Sequence, residues 1–269
     1  KMSKSLGNVV APGEVIEKYG AEILRLWVTA TDYRDDIRIS ENILKQLTDA
    51  YRKIRNTCRF ILGTCTDFDP KSDAVPYERM LELDRFALHS LNRLIEECRR
   101  SYDAYEFHGV YHALYNYCTI DLSSFYLDIL KDRLYTFLPA DPQRRSAQTA
   151  LHIILDALVR IMAPIMTFTA EENWRYLPER AEKAASIHLE LFPQASPGWY
   201  NPDLADKWQR LLMVREEVTK ALETARIAKK IGHPLDARVV ISAPADLHKD
   251  LLPYVNELKT VFITSQAEL

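Results

Sequence analysis

At 269 residues, with 47% hydrophobic and 27% charged side chains, the chain has room for one large domain or two modest ones and the composition of a core-forming globular protein. A net charge of −3 excludes a global basic signature for nucleic acid, so any such binding must come from a local patch. No apolar run approaches the roughly 20 residues of a membrane span, no secretory signal is present, and a first residue of Lys rather than Met suggests a piece of a longer protein.

Residues 1–39 read as the tail of a larger domain. Lys1–Asn8 is small, polar and basic, and Pro12–Gly13 punctuates the chain after it. Val15–Tyr19 and Glu22–Thr29 are predicted as short helices parted by Gly20, with a polar turn at Thr31–Asp36.

Residues 40–195 read as a helix bundle. Ser40 is a good N-cap, and Ile43, Leu44, Leu47, Tyr51, Ile54, Cys58 and Ile61 come after it at alternating threes and fours. Gly63 and Asp67–Pro70 should end that helix. A second helix is predicted over Leu83–Tyr102 and a third over Glu106–Lys131. Asp141 should cap a fourth, with Pro142 at its first position, and Pro164 should bend or end it. Thr169 and Glu172 have the spacing of a capping box for a short helix ending near Leu177. Long amphipathic helices on short links hide their faces most simply as an antiparallel bundle, so the fold is expected to be mainly α.

In the remainder, Ile187–Phe192 alternates like a short strand and Pro193–Pro202 reads as a linker. Residues 196–269 are expected to hold a long charged helix, Asp203–Ile231, and a small α/β unit. That unit would contain strands at Arg238–Ser242 and Val261–Thr264, with a helix over Leu247–Leu258 between them. Cys58, Cys65, Cys98 and Cys118 include no C-x-x-C pair, so buried thiols are expected rather than a zinc site or disulfides. His108 and His112 have i, i+4 spacing but lack an evident third metal ligand. Trp174, Trp199 and Trp208 could stack on unpaired bases, though packing is the simpler role.

Two basic features carry chemistry. In Lys1-Met2-Ser3-Lys4-Ser5-Leu6-Gly7-Asn8, two lysines among small residues make a cationic loop whose backbone can approach phosphate closely. Cations placed there would offset the negative charge that builds when pyrophosphate leaves ATP. On the first bundle helix, at about 100° per residue, Lys45, Arg52, Arg55 and Arg59 fall on one arc beside the apolar seam. Such a stripe suits a phosphate backbone. The competing reading is that these charges simply edge a buried seam.

The run KMSKSLGN resembles the signature loop of class I aminoacyl-tRNA synthetases, and Val9–Pro12, Lys18–Ala21 and Leu24–Trp27 resemble the segment after that loop in the Ile/Val/Leu/Met group. Thr31–Ser40, Tyr51–Thr57, Asp121–Asp128 and Lys131–Tyr135 resemble bacterial isoleucyl-tRNA synthetases specifically, as does Ala221–Gly232. The resemblance implies a helical anticodon-binding domain, with Lys1 and Lys4 in an ATP loop and Lys4 the stronger candidate for stabilising the activation transition state. Ser3 and Ser5 would shape that loop or donate to phosphates. It further implies ATP with magnesium as cosubstrate, the tRNA for isoleucine as partner, and a cytoplasmic monomer without membrane attachment. The family's HIGH signature, editing domain and zinc module have no counterpart here, so zinc is expected only in the full-length enzyme and this chain alone should be inactive. A stand-alone RNA-binding module, or the equivalent part of a valine, leucine or methionine enzyme, are the alternatives.

Overall fold

The structure, a computed structural model, describes residues 2–178 and 183–269. It divides into two compact units, Lys1–Tyr200 and Asn201–Leu269.

In the first unit, helices α1 (Pro12–Tyr19) and α2 (Ala21–Thr29) are joined at Gly20, whose φ of 91° is open to glycine at little cost. α3 (Glu41–Thr64) begins where Ser40 Oγ accepts from Ile43 N. It buries Leu44, Leu47, Ile54, Cys58 and Ile61 along one stripe. α4 (Glu82–Asp103) and α5 (Phe107–Asn116) approach closely at Gly109, where a Cβ would sit 2.8 Å from Ser101 Oγ. Further along, α7 (Pro142–Met162) starts at Asp141, whose carboxylate accepts from Gln143 N and Arg144 N. It then runs through the centre, burying Leu151, Ile154, Leu155, Leu158 and Ile161. Each large aliphatic side chain hidden this way contributes roughly 1.5–3 kcal/mol. The result is the helical bundle that the apolar periodicity predicts.

The third helix of the bundle differs from expectation. After α5 the backbone widens into a π-helix over Tyr117–Tyr126 before α6 (Leu127–Thr136), so the helical run reaches Thr136 rather than Lys131. Small hydroxyls accompany the widening: Ser123 Oγ donates to Cys118 O, five residues back, and Thr119 and Ser124 donate to carbonyls four back. Inside the bundle Asp84 is fully buried and accepts from Arg133, Tyr126 Oη and Ser146 Oγ, tying α4, the π-helix, α6 and α7 together.

α8 (Thr167–Tyr176) corrects the predicted capping box. Its N-cap is Met166, and Thr169 lies inside the helix. The carboxylate that satisfies Thr169 N comes from Glu22 of α2, at 2.9 Å, not from Glu172. The strand expected over Ile187–Phe192 is instead a 3-10 turn, Ile187–Leu189, capped by Ser186. Ile187 is the buried anchor of that segment, while Leu189 and Leu191 face solvent. The chain then runs along α4, where Asn92 exchanges two hydrogen bonds with the Ser196 backbone and Arg99 donates to Pro193 O.

The second unit contains α9 (Pro202–Ile227), β1 (Arg238–Val240), α10 (Ala245–Leu251), α11 (Leu258–Phe262) and β2 (Gln266–Glu268). β1 and β2 pair in parallel, Val239 opposite Ala267. The second strand lies further along than Val261–Thr264, because Leu258, Val261 and Phe262 are buried on one face of α11. Ile263, at φ 55°, ends that helix before the chain extends. The predicted single helix over Leu247–Leu258 is broken at Pro253 into α10 and a 3-10 turn.

Candidate nucleic-acid interface

The KMSKS segment forms a compact turn. Lys4–Leu6 is one turn of 3-10 helix, Leu6 N donates to Ser3 O, and Ser3 N donates to Asn8 Oδ1 at 2.8 Å. Gly7 takes φ 62°, which closes the turn. The hydroxyls of Ser3 and Ser5 meet each other at 2.7 Å on an exposed surface, where an anion's oxygens could replace either partner. Lys1 and the Lys4 side chain, both expected in the ATP loop, lie outside the described residues.

Two contacts anchor α2, the second helix after that loop, to the bundle. Arg25 donates from Nε to Ile165 O at 2.8 Å and from Nη2 to Pro164 O. Glu22, buried on α2, accepts both from Thr169 N and, in a short contact, from Thr169 Oγ1, which also meets Tyr51 Oη.

The basic stripe on α3 is present as a surface, and its charges are unequally available. Lys45 lies 3.6 Å from Glu41, which also takes a hydrogen bond from Lys18 at 2.8 Å. The Lys18 contact holds the Glu41 carboxyl below its usual range. Arg52 sits 3.5 Å from Asp49, one turn before it. Arg55 Nη2 reaches both oxygens of Glu172 on α8, at 2.8 and 2.7 Å, and this bond raises the guanidinium's pKa. Arg59 is exposed and has no ion-pair partner among the described residues. Exposed pairs such as Lys45–Glu41 are weakened by solvent and salt, so a phosphate can displace them readily.

Two clefts flank α3. One, of about 340 Å³, is lined by Arg55, Arg59, Leu62, Glu172, Asn173 and Tyr176. The other, of about 410 Å³, lies against the π-helix and gathers Lys53, Asn56, Phe60, Ser123 and Lys131. In it Lys53 donates to Tyr115 Oη at 2.9 Å, and Phe60 meets the exposed Tyr135 ring edge-on at 6.3 Å. This second group was not evident from the sequence. Lys53 and Phe60 fall on the next arc of α3, but Lys131 joins them only through the fold.

Two of the three tryptophans resolve into packing. Trp174 is buried and donates Nε1 to Ala184 O. Trp208 is buried against Tyr254, with ring centroids 6.0 Å apart. Trp199 is half-buried. All four cysteines are buried free thiols. Among the described residues no group of three or more His, Cys, Asp or Glu could hold a metal ion. No helix of the described residues is long and apolar enough to cross a membrane.

A basic helical face beside two clefts has the charge to meet a phosphate backbone. Residues 84–241 match the anticodon-binding domain of tRNA ligases, and the chain belongs to that family. Residues 1–40 match class I tRNA synthetases of the I, L, M and V group. Over its whole length the chain is 55% identical to the isoleucine–tRNA ligase of Geobacter sulfurreducens, 54% to that of Syntrophotalea carbinolica and 51% to that of Moorella thermoacetica. It spans 29% of the length of each of these relatives. Among solved structures, the LeuRS–tRNA–LeuAMS ternary complex of Agrobacterium radiobacter shares the fold. That match has a TM-score of 0.56 at 18% identity and covers 75% of this chain and 23% of the other.

Proposed function

We propose that this chain is the part of an isoleucine–tRNA ligase that carries the KMSKS ATP loop and grips the anticodon arm of the tRNA for isoleucine. The observation that carries the reading is end-to-end similarity, 55% identity across all 269 residues, to enzymes of that name. The unequal charges of Lys45, Arg52, Arg55 and Arg59 support it, because they offer a graded cationic face to a phosphate backbone.

On this reading residues 1–39 are the tail of the catalytic domain, residues 40–195 the anticodon-binding bundle, and residues 196–269 the start of a carboxyl-terminal region. Lys1 and Lys4 would meet the phosphates of ATP, with magnesium arriving on the nucleotide, and Ser3 and Ser5 would release each other to donate to phosphate oxygens. Zinc belongs to a part of the enzyme outside this chain. The protein would act as a cytoplasmic monomer.

The test uses the chain as purified. It is expected to show no isoleucine-dependent exchange between ATP and pyrophosphate. In competition it should prefer the tRNA for isoleucine over those for valine, leucine and methionine. Measurable exchange, or a preference for one of the other three, overturns the reading.

A further inference from the structure

The cleft between α3 and α8 has more built into it than a place on a charged surface. Its cations divide their labour: Arg55 is answered by Glu172, whereas Arg59, one turn on, has no ion-pair partner among the described residues. At its rim Tyr176 leaves 73% of its surface exposed, a flat ring with nothing stacked on it among the described residues. In it Asn173 is buried and commits Nδ2 to Thr169 O at 2.7 Å, and its side-chain oxygen accepts no hydrogen bond from the described residues. That oxygen and the half-exposed Glu172 carboxylate, which Arg55 already holds, are acceptors that the cleft presents.

We propose that this cleft holds one unstacked ribonucleotide whose base carries an exocyclic amino group, with Arg59 on its phosphate and Tyr176 against its ring. The volume, about 340 Å³, stands at the lower end of small-ligand sites and admits a nucleotide but not a duplex. A free anion or an acidic peptide would meet the Glu172 carboxylate. A base with an amino group instead brings a donor to those acceptors while its attached phosphate reaches Arg59. Single-stranded RNA is recognised in this way, through a stacked ring, a read base edge and a neutralised phosphate. The assignment rests on the anticodon-arm reading and deepens it, because it separates backbone grip along α3 from base reading at the α3–α8 cleft.

The test titrates the chain with RNA stem-loops whose unpaired loop is all cytidine or all uridine, and with the blunt stem alone. The wild type should bind the cytidine loop more tightly than the uridine loop. Tyr176→Ala should weaken the cytidine loop on the order of 5- to 100-fold and leave the blunt stem unchanged. Arg59→Gln should weaken every probe and reduce the slope of log affinity against log salt by about one. Tyr176→Trp should add fluorescence that the cytidine loop quenches. Circular dichroism checks that each variant folds. Equal affinity for the two loops, an unquenched Tyr176→Trp, or wild-type binding by a folded Tyr176→Ala overturns the assignment. If the wild type binds no stem-loop at all, the anticodon-arm reading itself fails; wild-type binding with Tyr176→Ala unchanged removes this cleft alone.

Discussion

Glu22 on α2 accepts the backbone N–H of Thr169 at 2.9 Å, so the second helix after the KMSKS segment fastens onto the first turn of α8. The same carboxylate meets Thr169 Oγ1, whose other neighbour is Tyr51 on α3, and one turn along α8 Glu172 holds Arg55. Three helices converge on one buried acid.

Removing that acid leaves a buried N–H without its acceptor, a loss of roughly 1–3 kcal/mol. Glu22→Ala should therefore lower the urea midpoint with little change in slope. An unchanged midpoint would mean that solvent or another group replaces the carboxylate.

Asp84 and Arg133 give a larger effect. Both side chains are buried, and Asp84 also takes hydrogen bonds from Tyr126 and Ser146. Asp84→Ala strands the guanidinium, and breaking a buried pair this way costs about 3–5 kcal/mol. The double variant Asp84→Leu with Arg133→Met should recover part of that loss. If the single variant costs less than about 1 kcal/mol, water rather than Asp84 satisfies Arg133.

The thiols report folding. Burial pushes Cys58, Cys65 and Cys98 up to about 12 and holds Cys118 well above its usual value. At pH 8 the thiolate fraction of Cys58, Cys65 and Cys98 is on the order of one in ten thousand, and burial keeps Cys118 a thiol as well. Iodoacetamide should leave the native chain unlabelled over hours and modify all four positions after denaturation. Rapid native labelling of any one would place it at a surface.

Local chemistry was legible in the sequence, and chemistry contributed from a distance was not. Ser40 and Asp141 cap the helices that start beside them because an N-cap draws on donors two or three residues away. Thr169 and Glu172 have the capping-box spacing, yet the acid that Thr169 uses lies 147 residues earlier in the chain. The α3 stripe could be read from helical periodicity. That Arg55 is answered while Arg59 is open could not, since Glu172 is 117 residues away. Val261–Thr264 looked like a strand because β-branched residues favour strands, and burial of Leu258, Val261 and Phe262 on one helical face decided otherwise. The π-helix had no signal in the apolar pattern, because its widening is local backbone geometry.

The proposed role of α3 is to grip RNA through its cationic stripe. The decisive measurement is the affinity of the chain for the tRNA for isoleucine across a series of salt concentrations, for the wild type and for Arg55→Glu with Arg59→Glu. The wild type should bind tightly at low salt, with log affinity falling linearly in log salt by roughly 0.7–0.9 per phosphate engaged. The double reversal should weaken binding at low salt and flatten that slope. Equal affinities and equal slopes for the two proteins would contradict the account.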